Sequence, residues 1–203
     1  MRILAFSDLH CDLDTAESLV ARSREADLVV GAGDYANEHH GLEPTIRALA
    51  AIETPAILIP GNNETEDELR AAVDSAGWGA TVLHGETAEV DGTTFFGLGA
   101  GIPTTPWDWS FDLTEEEAAT ALASCPEGAV LIVHSPPKDH CDSSSQGLHL
   151  GSSAILVAIE EKRPPLAVCG HIHESWGQRS VAGPTEIANL GPQGATFDVG
   201  GDR

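Results

Sequence analysis

The chain has 203 residues, 32 of them acidic and 10 basic, for a formal net charge of −22. That balance disfavours long nucleic acid and anionic membranes as partners, because affinity for both comes largely from Lys and Arg. With 41% apolar residues the composition is globular, and the length suits one domain over 1–203 with a full core.

The apolar start, Ile3 to Phe6, is broken by Ser7-Asp8 and is too short for a secretory segment. No later run could span a bilayer, so a soluble, cytoplasmic protein is expected. Cys11, Cys125, Cys141 and Cys169 form no Cys-x-x-Cys pair and read as reduced thiols. So acidic a surface suits a cell with high internal salt, where charges are screened over about 3 Å at 1 M. A salt-loving host is one expectation and an ordinary acidic cytosolic protein the other.

Residues 2–7 read as a buried strand ending in Asp8-Leu9-His10. Asp14 with Glu17 three residues on reads as an N-cap opening a helix to Ala26. Leu28-Val29-Val30 is a second strand, closed by Gly31-Ala32-Gly33-Asp34. A helix from about Pro44 to Ile52 has proline in its first turn. Ala56 to Ile59 is a third strand, stopped by Pro60-Gly61 and followed by Asn62-Asn63-Glu64. Thr65 and Glu68 form a capping box for the next helix. Strand and helix alternate to this point, which implies a parallel sheet with right-handed crossovers and functional groups at the strands' carboxyl ends.

From Thr81 to Leu98 the pattern is hairpin-like around Asp91-Gly92. A loop with Pro103, Pro106, Trp107, Trp109 and Phe111 follows, and Thr114 with Glu117 caps a helix to about Ser124. The aromatic loop reads either as a pocket wall that stacks on a base or aryl group, or, more simply, as a plug over the second sheet. Ala129 to Val133 is a buried strand ending in His134. A polar loop from Asp139 to His149 leads to a helix over about Ser152 to Lys162. Leu166 to Cys169 is a strand broken by Gly170-His171-Ile172-His173, whose two imidazoles can reach toward one point or toward two points a few ångströms apart. Short strands near 178–181, 186–188 and 195–199 suit a second, mixed or antiparallel sheet.

Five strand ends thus carry ligand-type side chains: Asp8 with His10, Asp34, Asn62, His134, and His171 with His173. Oxygen and imidazole donors without thiolate suit Mn²⁺, Fe or Zn²⁺. Seven ligands are too many for one tetrahedral ion and natural for two ions about 3.5–4 Å apart. The ordered motifs Asp8-Leu9-His10, Gly33-Asp34, Gly61-Asn62-Asn63-Glu64, His134 and Gly170-His171-Ile172-His173 resemble the calcineurin-like metallophosphoesterase superfamily across almost the whole chain. The resemblance implies a four-layer α/β sandwich, two mixed β-sheets face to face flanked by helices. It also implies two divalent cations, manganese first and iron, zinc or nickel as alternatives. Asp8, His10, Asp34 and His173 would hold one, and Asp34, Asn62, His134 and His171 the other, with Asp34 as the bridge. Asn189-Leu190-Gly191-Pro192 is similar to the family's closing Asn-Pro-Gly turn, with Leu190 in place of proline.

The chain departs from the family at Asn63, where the motif has a histidine that steadies the transition state or protonates the leaving group. Asn donates a hydrogen bond but transfers no proton at neutral pH. The expected activity is therefore hydrolysis of small, activated phosphodiesters by attack of a metal-bound hydroxide, with Asp34 and Asn63 as catalytic residues. The alternatives are a phosphomonoesterase or protein phosphatase, and a non-catalytic binding scaffold of the same fold. His39, His40 and His149 are candidates for the lost role, with a solvated loop histidine the simpler reading of each. Cys11 and Cys141 sit near ligand motifs but receive no role. The expected partner is a small phosphate-ester substrate; a homo-oligomer stays open.

Overall fold

Period-two side-chain alternation decides how the layers form. In the computed structural model, which describes residues 1–200, β1 (Arg2–Phe6) sends Ile3 and Ala5 to one face and Leu4 and Phe6 to the other. The remaining elements in chain order are α1 (Leu13–Ser23), β2 (Leu28–Gly31), α2 (Leu42–Leu49), β3 (Ala56–Leu58), α3 (Glu66–Ala76), β4 (Thr81–Val82), β5 (Glu86–Val90) and β6 (Thr93–Leu98). They continue as α4 (Glu115–Leu122), β7 (Val130–Val133), α5 (Ser153–Lys162), β8 (Leu166–Cys169), β9 (Arg179–Ala182), β10 (Thr185–Asn189) and β11 (Ala195–Asp198).

One sheet has the order β11-β1-β2-β3-β4 and the other β5-β6-β7-β8-β10-β9. Strands β1 to β4 are parallel with β11 antiparallel at the edge, while β6, β7, β8 and β10 are parallel with antiparallel β5 and β9 outside them. Three apolar clusters lie between four layers. Ile3, Val30, Ile57, Phe95, Ile132 and Val168 fill the space between the sheets. Leu4, Phe6 and Val29 pack on Leu19, Ile46 and Leu69 of α1 to α3. Phe96, Leu131 and Ala167 pack on Leu122, Ile155 and Ile159 of α4 and α5. The fold is the expected α/β sandwich of two mixed sheets flanked by helices.

Local signals hold where a side chain makes the cap. Thr65–Glu68 and Thr114–Glu117 are reciprocal capping boxes, and Ser152 caps α5. Helix α1 is capped by Asp12, not Asp14: Asp12 is extended and accepts from Thr15 N at 3.0 Å, whereas Asp14 lies in the first turn. The helix ends at Ser23 rather than Ala26, and α2 starts at Leu42, two residues before Pro44. The Asp91-Gly92 hairpin joins β5 and β6, but Thr81–Val82 belongs to the first sheet, parallel to β3. The last strand also joins the first sheet, not the second. It pairs with β1, and Met1 and Val199 exchange backbone hydrogen bonds at 2.9 Å. Alternation marks a strand but says nothing of its neighbour. Among the described residues no helix is long and apolar enough to cross a membrane.

Candidate metal centre

The carboxyl ends of β1, β2, β3, β7 and β8 meet at one edge of the sandwich. Their loops are bound to one another by main chain: Asp8 N donates to Gly33 O at 2.9 Å, His10 N to Asp34 O at 3.0 Å and Gly170 N to His134 O at 2.9 Å. Asp8, His10, Asp34 and His171 all adopt positive φ, between 45° and 67°. That region is costly for residues with a Cβ, by about 1–3 kcal/mol each, and is kept only where the surroundings dictate it. The left-handed step at His171 sends its ring to one group of ligands and His173 to another. The chain thereby selects two meeting points over one.

Asp8, His10 and His173 form the first group and Asp34, His134 and His171 the second, each with ligand atoms within 4.8 Å of one another. Asp34 faces both: its Oδ2 lies 3.5 Å from His10 Nε2 and its Oδ1 3.4 Å from His134 Nε2. Asn62 Oδ1 stands 3.2 Å from His134 Nε2 and 2.9 Å from His171 Nδ1. His10 Nε2 and His173 Nε2 are 3.1 Å apart. Donor atoms crowded in this way need a proton or a cation between them. No thiol joins either group; Cys11 Sγ bonds the His40 carbonyl and Cys141 Sγ bonds Ser180 Oγ.

Neighbouring groups set the orientation of each donor, as metal sites require. His134 donates Nδ1–H to Ala32 O at 2.8 Å and His10 donates Nδ1–H to Asn37 Oδ1 at 2.9 Å, so both turn Nε2 inward. Asn62 Nδ2 donates to Ser110 Oγ, which donates to Asp112, leaving Asn62 Oδ1 for the centre. Trp176 Nε1 and Ser7 Oγ donate to Asp8 Oδ2 at 3.0 and 2.5 Å, and Trp176 lies over the His173 ring at 4.3 Å. Buried Glu64 accepts from the N–H groups of Asp34, Tyr35, Ala36 and Gly61 at 2.7–3.0 Å, locking the β2 loop to the β3 loop. A Cβ at Gly61 would strike the Asp34 carboxylate, so only glycine fits there.

Of these supports, Trp176 and Asn37 carry no sequence signal and gain meaning only from their contacts, and Ser7 reads from the sequence only as the end of the first strand. Asn189, in the closing turn, donates through Nδ2 to the carbonyls of Cys141, Gly170 and Ile172 and so clamps the segment bearing both C-terminal histidines.

Charge divides the buried pair of rings. Burial opposes a charge on His134, yet the adjacent Asp34 prevails and pushes it up to about 9. Burial and charged His134 press His171 down to about 3. Burial also works against ionised Asp34, but His134, His10 and His171 outweigh it and hold the carboxyl well below its usual range. Burial and Asp34 push Glu64 up to about 7, against its four N–H partners.

Asn63 is committed to its neighbours. Its Nδ2 donates to Asp34 Oδ2 at 2.7 Å, its Oδ1 accepts from Glu38 N, and its own N–H donates to Asp34 Oδ1. The candidate substitutes for the motif histidine stand elsewhere. His39 bridges Glu68 and the Trp109 carbonyl, His149 is bonded to Asp142 at 2.6 Å, and His40 is exposed on a turn. The aromatic loop does not plug the second sheet: Trp107 is 51% exposed and neither Trp107 nor Trp109 enters an apolar cluster. Both line a cleft of about 960 Å³ that also contains Asp34, Asn62, His171 and His173.

Two groups of imidazole and carboxylate donors in one cleft make a candidate dinuclear site for divalent cations. A family model described as calcineurin-like phosphoesterase matches residues 1–175, and the chain belongs to that family. Membership implies a phosphoester hydrolase.

Among solved structures, the protein TT1561 of Thermus thermophilus covers 95% of this chain and 90% of its own, with TM-score 0.75 and 18% identity. The phosphopantetheinyl hydrolase of Mycobacterium tuberculosis covers 93% and 88%, with TM-score 0.61 and 16% identity. An archaeal phosphodiesterase covers 94% and 84%, with TM-score 0.56 and 16% identity. At these identities the likeness is one of fold. The UPF0046 protein T07D4.2 of Caenorhabditis elegans is 31% identical over 106 residues, 48% of this chain and 25% of that protein. The match therefore spans a quarter of that relative's length.

Proposed function

We propose that this chain hydrolyses small phosphodiesters at a pair of divalent cations, manganese foremost. The observation that carries the reading is the Asp34 carboxylate, with one oxygen turned to each ligand group. Asp8, His10, Asp34 and His173 would hold one cation and Asp34, Asn62, His134 and His171 the other. The donor set fits: imidazole and oxygen atoms with inward lone pairs, fixed by outer partners and without thiolate. Bound there, the cations supply Lewis acidity, which acidifies water and neutralises phosphoryl charge.

The protein's own groups do the rest. Asp8 and Asp34 leave the loaded centre net positive within a chain of net charge −22, which favours an anionic phosphoryl group there over any other surface. To serve as a ligand through Nε2, His134 would have to give up the proton that Asp34 stabilises. Asn63 holds Asp34 in place, and the second hydrogen on its Nδ2 is available to a phosphoryl oxygen. Beyond the ligands, Glu38 and Glu174 are the titratable groups among the described residues lining the cleft, and no histidine stands where the family's would. Leaving groups that depart without a proton are favoured, since general acid catalysis is worth about 10²–10⁴-fold.

The test compares bis-p-nitrophenyl phosphate with p-nitrophenyl phosphate in manganese, with elemental analysis of the protein. Faster diester turnover is expected. Monoester preference overturns the diester reading, and inactivity with manganese, iron, zinc and nickel alike leaves a binding scaffold.

A further inference from the structure

One wall of the cleft comes from the loop after β6, where Pro103 to Trp107 and Trp109 line it. Trp107 and Trp109 stack there with centroids 5.5 Å apart and planes 5° apart. The loop is built, not loose. Thr105 N and Oγ1 both donate to Asp112 Oδ2, His39 Nε2 donates to Trp109 O at 2.6 Å, and Phe111 N donates to Asn62 O at 2.9 Å. The last bond ties the aromatic wall directly to a ligand residue. Trp107, half exposed and stacked on Trp109, lines the cleft on a loop whose main chain is anchored on both sides of it.

Charge narrows what can lie on it. No Lys or Arg is among the described residues lining the cleft, while Glu38 and Glu174 are. Beyond the reach of the centre itself, a second phosphate or a carboxylate on the substrate would meet no Lys or Arg and two carboxylates. A planar ring without such a group gains instead by stacking on Trp107.

Resting on the phosphodiesterase reading, we infer that Trp107 is a specificity-determining platform for a flat aromatic group of a diester that carries no second anionic substituent. The full manganese-loaded chain is titrated calorimetrically with methylphosphonate, phenylphosphonate, n-hexylphosphonate and 4-carboxyphenylphosphonate. Stacking of this kind predicts that phenylphosphonate binds about tenfold tighter than methylphosphonate. Trp107→Ala collapses that ratio toward one, and Trp107→Phe retains most of it; at so exposed a position both variants fold. The carboxyphenyl compound loses the gain.

Equal binding of phenyl and methyl compounds by the wild type overturns the platform. Hexyl binding that matches phenyl overturns stacking in favour of an unspecific apolar shelf, and carboxyphenyl binding that matches phenyl overturns the charge restriction. If methylphosphonate itself does not bind, the failure lies in the metal-centre reading beneath.

Discussion

Asp34 is where local geometry and chemistry meet. Three hydrogen-bond donors from Asn62 and Asn63 fix its two oxygens, and a left-handed backbone aims it. Asp34→Asn keeps the shape but loses the bridging charge and sets an amide against the Asn63 Nδ2. Turnover should fall by about three orders of magnitude, and manganese content should fall with it, as elemental analysis would register. Full turnover in that variant would remove Asp34 from the bridge. Trp176 acts one step further out, through its bond to Asp8 Oδ2. Trp176→Phe should weaken manganese binding by about 10–100-fold while the fold persists, read by titration of the manganese paramagnetic signal. His134 makes a prediction with a definite sign. Its folded pKa, about 9, lies above the ordinary 6.5, so the stability it contributes is complete below pH 6.5 and is lost as pH rises through 9. His171, held near 3, is neutral throughout that window. The chelated protein should therefore show a falling Tm from pH 6.5 to 9 by calorimetry, and the fall should shrink with manganese, which replaces the proton. A flat Tm in chelator would mean that His134 is neutral in the free protein.

At the scale of elements, the site depends on segments held at their ends. Asn189 of β10 satisfies three buried carbonyls in the loops that carry Cys141, His171 and His173. Asn189→Ala takes a donor from all three, leaving Gly170 O and Ile172 O to Ile172 N and Ser175 N alone, so stability should drop by about 1–3 kcal/mol in urea unfolding and manganese affinity should drop as well. Thr114→Ala is the contrast: it removes the α4 cap, costs about 1 kcal/mol, and should leave manganese affinity unchanged. Equal effects on metal from both would show that the clamp acts only through global stability. This division also explains what the amino-acid order reveals. Buried strands, capping boxes and the polar residue after each strand are local facts, and they announce the parallel sheet and the six side chains that gather in two groups, with Asn62 beside them. The partners of β4 and β11, the clamp of Asn189 and the Trp176–Asp8 bond join residues from 17 to 196 positions apart. No local period encodes them. Asn63 lies between these cases: its type is plain from the motif, but its commitment to Asp34 and the Glu38 amide appears only when the two loops meet.

The whole molecule is a positive pocket, once loaded, in a negative body. With 32 acidic against 10 basic residues, most carboxylates have no cation to pair with. Among the described residues the Arg–carboxylate ion pairs are Arg70 with Glu66 and Glu86 and Arg179 with Glu186, all partly exposed and each worth at most about 1 kcal/mol. The apolar layers must therefore hold the fold against its own surface repulsion. Screening reaches about 10 Å at 0.1 M salt and about 3 Å at 1 M, so added salt relieves repulsion between surface carboxylates that are not in contact. Tm should rise between 0.1 and 1 M KCl, and tetramethylammonium chloride should reproduce the rise, since the effect belongs to ionic strength and not to a potassium site. The metal centre responds in the opposite sense. Its attraction for an anionic substrate is also screened, so KM for a diester should increase over the same range while the protein becomes more stable. A Tm that stays flat from 0.1 to 1 M KCl would show that the surface charge is already neutralised, while the rise in KM, which depends on the centre's own charge, should persist.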